Sequence, residues 1–117
     1  MQMKVQPKGP EAAQLRQRKF QILRTLKIPE DALPGSLSLS HRRCGKPTCR
    51  CASGEGHPLW SLTFMLEGKK RVERVPDDWV DEVRRQVEAG RELKQTVAEF
   101  LAANAQLLTL WRRQRGR

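Results

Sequence analysis

Residues 59–76 read LWSLTFMLEGKKRVERVP, and their rhythm decides the fold. Trp60, Leu62, Phe64 and Leu66 recur at every second position. That spacing puts all four on one face of a half-buried β-strand, because successive side chains of a strand point to opposite sides. EGKK (67–70) follows as a hairpin loop, with Gly68 supplying the permissive backbone. RVERV (71–75) is the returning strand. Val72 and Val75 are out of phase within it, which predicts a bulge or an early end. Upstream, SLSLS (36–40) alternates in the same way, with Leu37 and Leu39 on one face. Three such strands make a small antiparallel sheet.

Helices flank this sheet. Pro76 stops the last strand, and Asp77 and Asp78 offer an N-cap and favourable negative charge for a helix start. From there to about Gln114 the only breaker is Gly90. A seven-residue frame places Val80, Val83, Val87, Gly90, Lys94, Val97, Leu101, Asn104, Leu108 and Trp111 on a seam, with Leu93, Phe100 and Leu107 beside it. Unbroken, the helix would be about 57 Å long at 1.5 Å per residue. A small sheet cannot bury so long a stripe. The helix must fold back at Gly90, pack on another helix of the chain, or meet its counterpart in a second chain, and a partner helix is expected for its second half. Before the sheet, residues 11–28 have helical spacing, with Leu15, Ile22, Leu23 and Leu26 near one face, and Pro29 ends the run. Residues 1–10 read as a flexible basic tail, and 29–35 as a connector turning at Pro34-Gly35. The expected class is α+β. A zinc-stapled three-stranded antiparallel sheet (35–76) lies between an N-terminal helix and a long C-terminal helix or coiled-coil segment (77–115), with Gly90 the place for any break.

Composition narrows the function. At 117 residues, 38% of them apolar, the chain is most simply one domain with a thin core that gains from a staple. The formal net charge is +10, with 23 Lys and Arg against 13 Asp and Glu. So basic a small domain points to a polyanion, since Lys and Arg release counterions from a phosphate backbone. There is no apolar run of the roughly 20 residues a membrane span needs, and the N-terminus lacks the apolar stretch of a signal peptide. The expected compartment is the reducing cytoplasm, where disulfides do not persist.

All three cysteines fall in CGKPTCRCASGEGH (44–57). Cys44, Cys49, Cys51 and His57 make up the Cys3His set that structural zinc takes in tetrahedral sites. Gly45 and Pro47 permit a tight turn between the first two ligands, and Gly54 and Gly56 let the chain curl back to present His57. His41 is the alternative fourth ligand. It is in phase with Leu37 and Leu39 at a strand end, where packing is its expected role. Ordinary buried cysteines, an iron–sulfur site and a redox pair are the competing readings. The first fits poorly among turn formers and cations, and Cys49-x-Cys51 would close a strained ring. With four protein ligands no coordination position is left for an activated water. There is no paired-carboxylate set, Ser/His/Asp set or phosphate-cradling Gly loop either, so no enzyme, no catalytic residue and no small-molecule substrate are expected.

The run RRCGKPTCRCASGEGHPLW, followed by EGKKR, V-P and a long helix, resembles a family of small prokaryotic proteins catalogued as a domain of unknown function. Members carry C-G-K-x-x-C-x-C, a Gly-containing spacer and a His, and some are found near transposases or described as their helpers. The resemblance spans roughly residues 35–100. It implies a ligand role for Cys44, Cys49, Cys51 and His57, and no activity. After His57 this chain has Pro58-Leu59-Trp60 where the family often has G-P-Y.

Two functions follow. In the first, metal pins a loop so that Arg42, Arg43, Lys46 and Arg50 project from a rigid knuckle, and Lys69, Lys70, Arg71 and Arg74 extend the same positive face. The protein is then a zinc-stabilised accessory that binds DNA or RNA, linked to a mobile element or a larger nucleoprotein complex. In the second it is an adaptor, with a structural Zn2+ head on a helix that docks a protein partner or forms a homodimer. Asn104 at mid-seam would then set the register.

Overall fold

The computed structural model describes residues 6–43, 45–49, 53–54 and 56–116. The chain is α+β: helix α1 (Pro10–Thr25), strands β1 (Ser36–Arg42), β2 (His57–Leu66) and β3 (Lys69–Val75), a 3-10 turn (Asp77–Trp79), and helix α2 (Val80–Arg115). The strands form one antiparallel sheet in the order β1-β2-β3. Two compact units result. One holds residues 29–91; the other holds the described residues up to Ile28 with those from Glu92 onward. Among the described residues no helix is long and apolar enough to cross a membrane.

In the sheet unit, β2 and β3 pair without interruption from Trp60↔Val75 to Leu66↔Lys69. The bulge predicted from Val72 and Val75 is absent. The two valines simply lie on opposite faces, Val75 buried and Val72 58% exposed. The loop is also shorter than EGKK. Glu67 and Gly68 alone turn the chain, both at positive φ (53° and 80°), as a two-residue hairpin of matching twist requires. Lys69 and Lys70 therefore belong to β3. Leu62, Val75, Val80 and Val87 are buried together, with Leu33, Leu37, Trp60, Phe64 and Val83 packed against them. Each such aliphatic side chain contributes about 1.5–3 kcal/mol on full burial. The Arg84 guanidinium lies 5.3 Å from the Trp60 ring and covers that side of the core.

Gly90 does not break α2. The connector 29–35 lies against the helix there. The Leu33 N–H donates to the Gln86 carbonyl at 3.0 Å, and Gln86 Nε2 donates to Asp31 Oδ2 at 3.2 Å. A Cβ at Gly90 would stand 2.0 Å from the Leu33 carbonyl oxygen. Close approach of two backbones, not a kink, is why glycine occupies this helical position. Asp77 and Asp78 start the 3-10 turn and place negative charge at the helix entrance, but no side-chain cap bond forms.

In the helical unit, α1 runs antiparallel to the end of α2. Near its start, the Lys8 N–H donates to Gln114 Oε1 at 2.9 Å, and Gln114 Nε2 donates back to the Lys8 carbonyl at 2.5 Å. Further along, Lys19 Nζ lies 5.7 Å from the Phe100 ring centroid. The described part of the predicted flexible tail is thereby anchored: Pro7 is fully buried, and its carbonyl accepts from Arg16 at 2.6 Å. The small residues Ala12 and Ala103 are almost wholly buried, as is Leu107. Helix α1 ends at Thr25, before the expected Ile28, with Leu26 already extended at ψ 120°. Two expectations about helix faces change. Leu23 is 51% exposed, and the buried line of α1 includes Ala12 instead. In α2 the buried line passes through Ala103 and Leu107, while the seam positions Val97, Leu101 and Leu108 face outward.

Candidate metal knuckle and nucleic-acid interface

The knuckle begins where β1 ends. Arg42 pairs with His57, so the chain leaves the sheet at Arg43 and re-enters it at His57. Gly56 makes the return possible: its φ is 93°, and a Cβ there would meet the Arg42 carbonyl carbon at 2.7 Å. Within the loop the Cys49 N–H closes a turn onto the Lys46 carbonyl at 3.1 Å. Arg43 Nε donates to the Gly54 carbonyl at 3.2 Å, tying the loop's two sides together. The result sets Cys49 Sγ 3.2 Å from His57 Nε2. Two ligands on one tetrahedral zinc, with bonds of about 2.3 Å to sulfur and about 2.0 Å to nitrogen, stand about 3.5 Å apart. The observed pair is somewhat closer, at the distance of a sulfur–imidazole hydrogen bond. His41 lies one step along β1, opposite Pro58, so its position in the ladder is out of phase with Arg42 and His57. Cys44, Cys51 and Arg50 lie outside the described residues. Among the described residues no three His, Cys, Asp or Glu side chains are grouped to hold a metal ion.

The register sorts the predicted cations between two faces. Ladder partners share a face, so Trp60, Leu62 and Phe64 carry Val75, Glu73 and Arg71 with them, and Leu66 carries Lys69. The outer face takes the alternate set, including Ser61↔Arg74, Thr63↔Val72 and Met65↔Lys70, and across β1, Ser38↔Ser61 and Arg42↔His57. Lys69, Lys70, Arg71 and Arg74 therefore do not form the single positive face expected of them. Lys70 and Arg74 join Arg42 on the outer face, whereas Lys69 and Arg71 share the other face with the core residues. Lys46 is exposed in the loop turn.

On the outer face Arg42, Arg43 and Arg74 line a shallow concavity of about 450 Å³ together with His57, Ser61 and Val72. Glu73, the carboxylate of β3, pairs with Leu62 on the opposite face and leaves this concavity to the cations. A guanidinium has the fork geometry to pair with phosphate or carboxylate oxygens, and Arg42 and Arg74 stand here beside Arg43, whose Nε is taken by the Gly54 carbonyl. Sequence reasoning missed the hydroxyls of Ser38, Ser61 and Thr63, which share this face. Their signal is present in the sequence, because they are the polar members of the same alternation that marks the core strand.

The fold and the site together define a small α+β protein whose sheet carries a cysteine–histidine pair at one end and a cationic outer face. The chain belongs to the family described as Domain of unknown function (DUF6788), whose model matches residues 11–85. That span takes in α1, the whole sheet and the first residues of α2, so it begins earlier than the motif-based resemblance and ends sooner. Neither the curated proteins nor the solved structures contain a match to the chain.

Proposed function

We propose that this protein is a zinc-stabilised nucleic-acid-binding accessory, serving a larger nucleoprotein complex such as that of a mobile element. The observation that carries this reading is the continuity of the knuckle with the cationic face. His57, 3.2 Å from Cys49, also lines the concavity of Arg42, Arg43 and Arg74. Cys44, Cys49, Cys51 and His57 would hold Zn2+, whose contribution is structural: it closes the loop and holds the ends of β1 and β2 together. The cations beside it then need no reordering to meet phosphates, which lowers the entropy lost on binding.

Salt dependence tests this. Each phosphate neutralised on duplex DNA contributes about −0.9 to the slope of log affinity against log salt. The double variant Arg42→Ala/Lys70→Ala, which removes two cations of the outer face, is expected to reduce that slope by about 2 and to weaken binding of any sequence alike. Absence of binding to DNA and RNA even at low salt rejects the reading.

A second reading rests on a separate observation. Val97, Leu101 and Leu108 of α2 are exposed, at the spacing of a helix–helix seam, and Phe20, Leu23 and Leu108 line a groove in the same unit together with Arg16, Lys19 and Asn104. This surface suits homodimerisation or docking of a protein partner, an adaptor role compatible with the first. Sedimentation equilibrium is expected to give a dimer that Leu101→Glu/Leu108→Glu converts to monomer. A strictly monomeric wild type at high concentration counts against self-association.

A further inference from the structure

We infer that the outer face of the sheet reads the major groove of duplex DNA, with β2 lying along the groove. This rests on the nucleic-acid reading above and specifies its ligand. The first observation is what the face lacks. Trp60 and Phe64 pack against the core on the opposite side, and the outer-face positions of β2 are His57, Leu59, Ser61, Thr63 and Met65. Binders of single strands stack successive bases on aromatic side chains, and the middle of this face offers no such platform.

The second observation is what the face carries. Ser38, Ser61 and Arg74 form one row across all three strands, and the next row places Thr63 beside Val72. Hydroxyls pair with base edges as donor or acceptor, arginine pairs with guanine O6 and N7, and a small apolar side chain suits the thymine methyl. Val72, 58% exposed without a role in the core, occupies such a position. At the rim, Arg42, Arg43 and Lys70 are placed for phosphates.

Width is the third argument. The β2-β3 hairpin is a two-stranded ribbon with β1 on its far side, and a B-form major groove about 12 Å wide admits such a ribbon. The two-residue turn at Glu67-Gly68 adds little bulk at the leading end of the hairpin. In A-form RNA the major groove is deep and too narrow for side chains to read, so duplex RNA does not fit.

Fluorescence anisotropy of the full chain with a labelled 20-base-pair DNA duplex, its single strand and the matching RNA duplex tests this. The DNA duplex is expected to bind at least tenfold more tightly than either of the others. Methyl green, a major-groove ligand, should displace the protein, and distamycin, a minor-groove ligand, should not. Val72→Glu is expected to weaken duplex binding at least tenfold with an unchanged thermal melt, whereas Val72→Thr retains it. Equal or tighter binding of single strand or RNA duplex, or displacement by distamycin, overturns the major-groove assignment while leaving nucleic-acid binding intact. No binding to any of the three overturns both.

Discussion

Elemental analysis of the purified protein is expected to return about one zinc per chain, and Cys49→Ser to lower both metal content and thermal stability. The reason is the thinness of what else holds the sheet unit together. Its buried cluster is only Leu62, Val75, Val80 and Val87. At the other end of the sheet, β1 and β2 are joined through a loop held by contacts that include Arg43 to Gly54, the turn at Cys49 and the Cys49–His57 pair. Structural zinc in small modules supplies folding free energy directly, because its site does not exist in the unfolded chain. A loss of roughly 3 kcal/mol on removing one ligand would lower the melting temperature by about 10 °C. A chelator should act in the same direction on the wild type. The two histidines make the test specific: His57→Ala is expected to lose metal, and His41→Ala to keep it. A wild type that is fully folded and free of metal would sink the idea, whatever the variants do.

Gly90→Ala is expected to destabilise the protein, although helix propensity alone forecasts the reverse. Replacing glycine by alanine in a helix interior ordinarily gains about 1 kcal/mol. Here the new Cβ would lie 2.0 Å from the Leu33 carbonyl oxygen and 3.0 Å from its carbon. Both are backbone atoms, so no side-chain rotation relieves the overlap. The connector must move away, which stretches the Leu33 N–H bond to Gln86 and loosens Leu33 from the core. Overpacking of this kind costs about 1–3 kcal/mol, and an impaired hydrogen bond about 1 kcal/mol more. The net expectation is a loss of about 1–3 kcal/mol, read by urea or thermal denaturation. Gly35→Ala should be at least as damaging, since a positive φ of 87° adds strain to an approach of 2.0 Å to the Thr63 carbonyl oxygen. An unchanged or raised stability of Gly90→Ala would show that the connector does not rest on the helix.

Much of the architecture is legible in local pattern. The alternation of Trp60, Leu62 and Phe64 marks one face of a strand because side chains along a strand repeat every two residues, wherever the strand sits. Pro29 and Pro76 mark where elements end, since proline restricts its own backbone and that of the residue before it. The cysteine and histidine spacing identifies a candidate ligand set, and the pair Cys49 and His57 is close in space. The shift of seam in α2 was less legible. Val97, Leu101 and Leu108 fit a seven-residue frame as well as Phe100 and Leu107 do, and only the place of the neighbouring helix distinguishes them.

Local pattern is enough to give the kinds of element, their order and the chemistry they carry: an α+β chain with three strands between two helices, and cations gathered around a cysteine cluster. Those are consequences of periodicity, breakers and composition, which act over a few residues. Long-range pairing and packing are what place Arg42 and Arg74 on one face with Lys70 and put Lys69 and Arg71 on the other, make Gly90 a contact and not a kink, and bury Ala12 and Ala103. Each of these depends on which residue of a distant segment stands opposite. A single step of register moves every side chain of a strand to the other face, and no local pattern in RVERV specifies that step.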